Sequence, residues 1–134
     1  MRVPRRGEIH WLSVPANHTL GREQHAEPCR PFIVLSVPKL GAADGLIVGV
    51  PITSQKPGKG PKSWWVPVSP EDDVRTAPGD AHLEKAGWAM PEHIRSISFK
   101  DRRYNKRHTS RAGKAKEELI SRIERELSEL LGLP

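Results

Sequence analysis

At 134 residues the chain has room for one hydrophobic core, so residues 1–134 are expected to form one domain. Its 22 basic and 16 acidic residues leave a net charge of +6, which favours polyanionic partners, nucleic acid foremost. Thirteen prolines and eleven glycines argue against a helical bundle, and the single cysteine, Cys29, excludes an intramolecular disulfide.

In chain order, residues 8–14 mix apolar and polar side chains over strand length, behind the basic Arg2, Arg5 and Arg6. Residues 15–29 have no period of either kind and read as a long loop, the kind that often carries function. Two apolar runs follow, Arg30 to Ser36 and Leu46 to Ser54, joined by an expected turn around Gly41 to Gly45. Their Ile/Val/Leu content suggests strands covered on both faces at the centre of a small barrel. Residues 55–63, rich in Gly, Pro and Lys, suit neither helix nor strand. Trp64 to Val68 is a short strand that Pro67 confines to an edge or a bulge.

Residues 69–81 read as irregular; a weaker strand runs through Trp88 to Met90, ahead of the segment Glu92 to Ile97. Residues 100–116 carry eight Lys/Arg against one Asp. The clearest helix is the last element, where Leu119, Ile120, Ile123, Leu127, Leu130 and Leu131 form one stripe and Gly132 supplies a stop. Its start is expected between Thr109 and Lys114. A mainly β barrel closed by one amphipathic helix is the economical architecture.

The histidines at 10, 18, 25, 82, 93 and 108 follow no zinc-ligand spacing, so neither metal nor cofactor is expected. No apolar run approaches the roughly 20 residues that span a bilayer, and no signal-peptide pattern opens the chain; the expected location is the cytoplasm, away from membrane.

Several short motifs occur in one order: Arg6 to Trp11, Gly21-Arg22-Glu23-Gln24, Arg30 to Ser36, Val50 to Ser54, Glu92 to Ile97, and the terminal helix. In that order they resemble the MazF/PemK family of toxin endoribonucleases, which implies a small SH3-like barrel. The chain departs from the usual pattern in three places. Arg22 replaces a small polar residue, the link His25 to Cys29 is longer and stiffer than a glycine-rich one, and His93-Ile94-Arg95 stands for Gln-Ile-Arg. These departures leave the fold expectation intact and bear on substrate preference.

The resemblance implies cleavage of single-stranded RNA without metal, by attack of a ribose 2′-hydroxyl on the adjacent phosphorus. Such attack needs a fixed cation, a second hydrogen-bond donor and routes for two proton transfers. The family places its site at the arginine before the proline and the threonine of the next strand, here Arg30 and Thr53. A guanidinium grips two phosphate oxygens and stays charged, which suits transition-state stabilisation and not general base catalysis. By residue type alone, Arg30 would be a solvated strand end and Thr53 ordinary sheet packing. His25, in the unusual link, is the candidate base because its pKa suits proton transfer near neutrality. RNA-binding candidates are Arg22, Glu23, Gln24, Ser54, Lys56, Lys59, Lys62, Trp64 and Arg95, since cations on loops and an aromatic platform suit unpaired strands.

By the same resemblance the chain is expected to be a homodimer and to be restrained by a cognate antitoxin, whose acidic segment the positive surface would suit. Two other readings stay open. One is a family member that binds RNA or antitoxin without cutting. The other is a CcdB-like gyrase poison, although that class works through a tryptophan near its C-terminus and this chain ends Leu131-Gly132-Leu133-Pro134.

Overall fold

The centre of the sheet is its most apolar part. In the computed structural model, which describes residues 3–12, 30–54, 60–74, 83, 85–100 and 113–134, the strands are β1 (Glu8–Leu12), β2 (Arg30–Val34), β3 (Leu46–Thr53), β4 (Val66–Val68), β5 (Gly87–Ala89), β6 (Arg95–Ser98) and β7 (Gly113–Lys114). They form one seven-stranded antiparallel sheet in the order β4-β5-β3-β2-β1-β7, with β6 also paired to β3. Long β3 shares one side between two partners: Leu46 to Gly49 pair with β6, and Ile52 and Thr53 pair with β5. Pro51, with no N–H to donate, sits at this changeover, where its carbonyl accepts from Met90 N at 3.1 Å. The handover curls the sheet into a half-barrel.

Both faces of the sheet are covered. Ile9, Ile33, Val50 and Ile52 pack on one side with Leu119, Ile120, Ile123 and Leu127 of the terminal helix α2 (Glu117–Leu131). Leu12, Phe32, Val34, Ile47, Ile97 and Phe99 form a second cluster on the other side. Double coverage is why β2 and β3 read as continuous apolar runs. Pro67 is exposed and lies on β4, an edge strand, as expected for a proline in a short strand.

Two expectations are corrected. The link between β2 and β3 is not a simple turn but a helix, α1 (Pro38–Asp44), with proline in its first turn and Gly45 closing it through a 2.8 Å bond to the Gly41 carbonyl. Seven residues are too few to show a 3.6-residue period, so the end signals alone marked it. Helix α2 begins at Glu117, not between Thr109 and Lys114, because Gly113 and Lys114 pair with β1 as β7. It ends as expected. Gly132 takes φ 71° and its N–H bonds the Glu129 carbonyl, while Leu133 N–H bonds that of Ser128, a Schellman closure. Leu130 and Leu131, part of the apolar stripe, are exposed.

Candidate active site

The register of the sheet decides which side chains meet. In antiparallel pairs, directly opposed residues project from the same face. Strands β2 and β3 pair Phe32 with Pro51. Run on for two residues, that register sets Arg30 opposite Thr53. Leu12 pairs with Arg30 on the β1 side, and Trp88 pairs with both Thr53 and Pro67 on the other. One cross-strand row therefore reads Leu12, Arg30, Thr53, Trp88, Pro67. With neighbouring strands roughly 4.8 Å apart, the row places a cation, a hydroxyl and an indole at successive steps.

Arg30 and Thr53 are both buried, at 9% and 1% exposure. A buried guanidinium is held only where charged or hydrogen-bonding partners offset its desolvation. A hydroxyl on a β-branched side chain at a paired strand position is restricted in rotamer. The pair offers a fork of N–H donors and one O–H donor from adjacent strands, an arrangement suited to phosphoryl oxygens.

The other candidates divide. Arg95, on β6, is partly buried opposite Gly49, two residues along the face from Pro51. Ser54 is exposed just past the end of β3. Lys62 lies over the Trp64 ring, Nζ 5.5 Å from its centre. Trp64 and Trp88 pack against a buried pair, Trp65 and Met90, and Trp65 Nε1 donates to Glu92 Oε2 at 2.7 Å. Of the two adjacent tryptophans, Trp65 is the core residue and Trp64 the partly exposed one. Arg22, Glu23, Gln24, His25, Lys56 and Lys59 lie outside the described residues.

Trp88 is the residue that the sequence did not announce. By sequence it has only a place in a weak strand; the β3–β5 register puts it beside Thr53. A cleft of about 270 Å³ lies elsewhere, at the β4 edge, lined by Trp65, Pro67, Arg122 and Arg125 among others, and holds none of the candidate residues. Among the described residues, no group of three or more His, Cys, Asp or Glu side chains is placed to hold a metal ion, and no helix is long and apolar enough to cross a membrane.

The sequence profile of the PemK-like, MazF-like toxins of type II toxin–antitoxin systems matches residues 5–131. The chain belongs to the PemK/MazF toxin family. Among solved structures it is similar to a MazE–MazF complex (Form I) of Deinococcus radiodurans, at 25% identity and TM-score 0.62, over 98% of each chain. It also resembles a mycobacterial endoribonuclease in complex with its cognate antitoxin, at 16% identity and TM-score 0.63, over 100% of this chain and 98% of the other. Mycobacterium tuberculosis toxin MazF-mt6 is similar at 13% identity and TM-score 0.62, over 95% and 98%. No curated protein sequence matches the chain. A PemK/MazF toxin accordingly has its mainly β half-barrel and terminal helix here.

Proposed function

We propose that this PemK/MazF toxin is an endoribonuclease whose site is built on Arg30 and Thr53. The observation that carries the reading is the β2–β3 register, which brings a buried arginine and a buried hydroxyl side by side on one sheet face. That solved structures of the same fold include an endoribonuclease bound to its antitoxin supports it.

In the proposed reaction a ribose 2′-hydroxyl attacks the neighbouring phosphorus, forming a 2′,3′-cyclic phosphate as the bond to the 5′-oxygen breaks. Arg30 binds the phosphoryl oxygens as their charge grows, and Thr53 donates a further hydrogen bond. The 2′-hydroxyl proton goes to a base, for which His25 is the candidate, and the departing 5′-oxygen takes a proton in turn. Lys62, Trp64 and Arg95, with Arg22, Glu23, Gln24, Ser54, Lys56 and Lys59, are assigned to holding the strand. The whole chain is read as one toxin domain, acting in the cytoplasm as a homodimer and silenced by an antitoxin protein; the exposed Leu130, Leu131 and Leu133 give it apolar surface for such contacts.

Cleavage of a long single-stranded RNA in EDTA tests the reading, comparing wild type with Arg30→Ala and Thr53→Ala. The expected result is discrete cuts with 5′-hydroxyl ends, lost in both variants while each keeps its fold. No cleavage by folded wild type would favour the RNA- or antitoxin-binding member that does not cut. Cutting that survives Arg30→Ala would place the site elsewhere on the barrel.

A further inference from the structure

We infer that Trp88 is the stacking platform for the base next to the scissile phosphate, an inference that rests on reading Arg30 and Thr53 as the phosphate-binding pair. Trp88 pairs directly with Thr53, so its indole projects from the same face one strand further out. From Arg30 to Trp88 the row spans two strand spacings, roughly 10 Å between backbones. A separation of that size is one that a single nucleotide, phosphate at one end and base at the other, can bridge.

The indole is supported from within and open outward. Trp65 and Met90 pack against it, and the Trp65–Glu92 bond fixes that support. Pro67 borders it on the outer side and is itself exposed, so no large side chain of β4 shades the ring. Trp88 is half-buried, which suits a ring with one covered and one available face. A single partly exposed tryptophan is ordinary on a protein surface. What distinguishes this one is its step in a row with a buried cation and a buried hydroxyl.

A second observation points to a ligand in the same place. Trp64 Nε1 and Glu92 Oε1 are shut off from solvent and meet no hydrogen-bond partner among the described residues. Native structures hold few such atoms, and each calls for a partner. One is a donor and one an acceptor; Trp64 packs on the same buried pair as Trp88, Glu92 is bonded to Trp65 of that pair, and a base edge carries groups of both kinds. Lys62 over Trp64 adds a cation for the neighbouring phosphate. Single-stranded RNA, whose bases are free to leave the stack, fits this site; a duplex does not.

The test uses the full-length toxin and two short RNAs containing its mapped cleavage sequence: one intact, one abasic at the nucleotide beside the scissile bond. Each is also made with a 2′-deoxy sugar at the cut so that binding is read without cleavage. Wild type should bind the abasic strand about ten-fold more weakly or worse, the usual scale for one lost stack. Trp88→Ala should show that loss on the intact strand, mainly in KM, and no further loss on the abasic one; Trp88→Phe should recover most of it. Equal penalties for the abasic strand in wild type and Trp88→Ala would overturn the inference, as would unchanged KM in a folded Trp88→Ala. Should Trp88→Ala fail to fold, wild type alone decides: abasic and intact strands bound equally well would overturn it. Arg30→Ala separates the two ideas. If that variant cleaves normally, the phosphate site is misplaced, and the abasic comparison still decides whether Trp88 stacks a base.

Discussion

Thr53 stands directly across the β3–β5 ladder from Trp88 and is 1% exposed. Under the proposed reading its hydroxyl and its methyl have separable jobs, one toward the reacting phosphate and one in the sheet. Thr53→Val keeps the branched shape and removes the donor. It should lower kcat by about 10²-fold or more, the scale seen when one donor to developing charge is lost. Thr53→Ser keeps the donor and loses a methyl, so kcat should fall only a few-fold while stability drops by about 1 kcal/mol. Single-turnover cleavage alongside urea unfolding checks both, and a Val variant as active as Ser would remove the hydroxyl from the mechanism.

The site rests on a close backbone approach as well as on its side chains. A Cβ at Gly87 would collide with the Thr53 carbonyl oxygen and come within 3.4 Å of Ile52 Cγ2. The obstacle is backbone, which cannot rotate away. Gly87→Ala should push β5 from β3, costing about 1–3 kcal/mol of stability. Because the strand that moves carries Trp88 and the one it leaves carries Thr53, activity should fall more than the stability loss explains. Thermal unfolding and kcat/KM, measured together below the transition, test this; full activity in a merely destabilised variant would count against it.

The central strands were legible because they sit inside strong local signals, whereas Arg30 and Thr53 were singled out only by the family resemblance, residue type alone giving a solvated strand end and sheet packing. An apolar run opened by Arg-Pro and another closed by Thr-Ser need no long-range information. Helix α2 was legible from its stripe and from Gly132. What escaped depended on pairing. Helix α1 was too short for a period, and β7 has two residues whose strand character comes from partners distant in the chain, β1 on one side and Asp73 and Val74 on the other. Trp88 gained its meaning only from the register that set it against Thr53, and register is a property of the assembled sheet.

The same sheet face buries a hydrogen-bonded pair that the proposed chemistry does not use. Glu8 and His10 are 3% and 8% exposed, with His10 Nε2 3.1 Å from Glu8 Oε1, and that oxygen also accepts from Arg5 N at 2.9 Å. They alternate with Ile9 on β1, so both lie on the side of Leu12 and Phe32. Removing the carboxylate strands an imidazole and a backbone N–H. Glu8→Ala should cost about 1–3 kcal/mol, while Glu8→Gln, which keeps an acceptor, should cost less. Urea unfolding of the two variants measures the difference. Equal losses would mean that side-chain volume, not hydrogen bonding, is what Glu8 supplies.

Arg6 fastens the start of the chain to the last helix. Its Nη1 and Nη2 donate to Glu124 Oε2 and Oε1 at 2.6 and 2.8 Å, and Nη1 also reaches the Leu35 carbonyl at 3.2 Å. The two side chains are 32% and 43% exposed, so water and salt screen the pair despite its bidentate form. A double-mutant cycle of Arg6→Ala and Glu124→Ala should give a coupling of about 0.5–1 kcal/mol, shrinking toward zero in 1 M salt, where the Debye length is about 3 Å. The hydrogen bond to Glu124 raises the Arg6 pKa above its usual value, against the opposing effect of burial. A raised cation pKa contributes stability that is complete below the unfolded value and lost only as pH climbs through the folded one, far into alkali. The coupling should therefore hold constant from about pH 6 to pH 9. A coupling that changed across that range would show that another titrating group, not the Arg6–Glu124 pair alone, fastens β1 to α2.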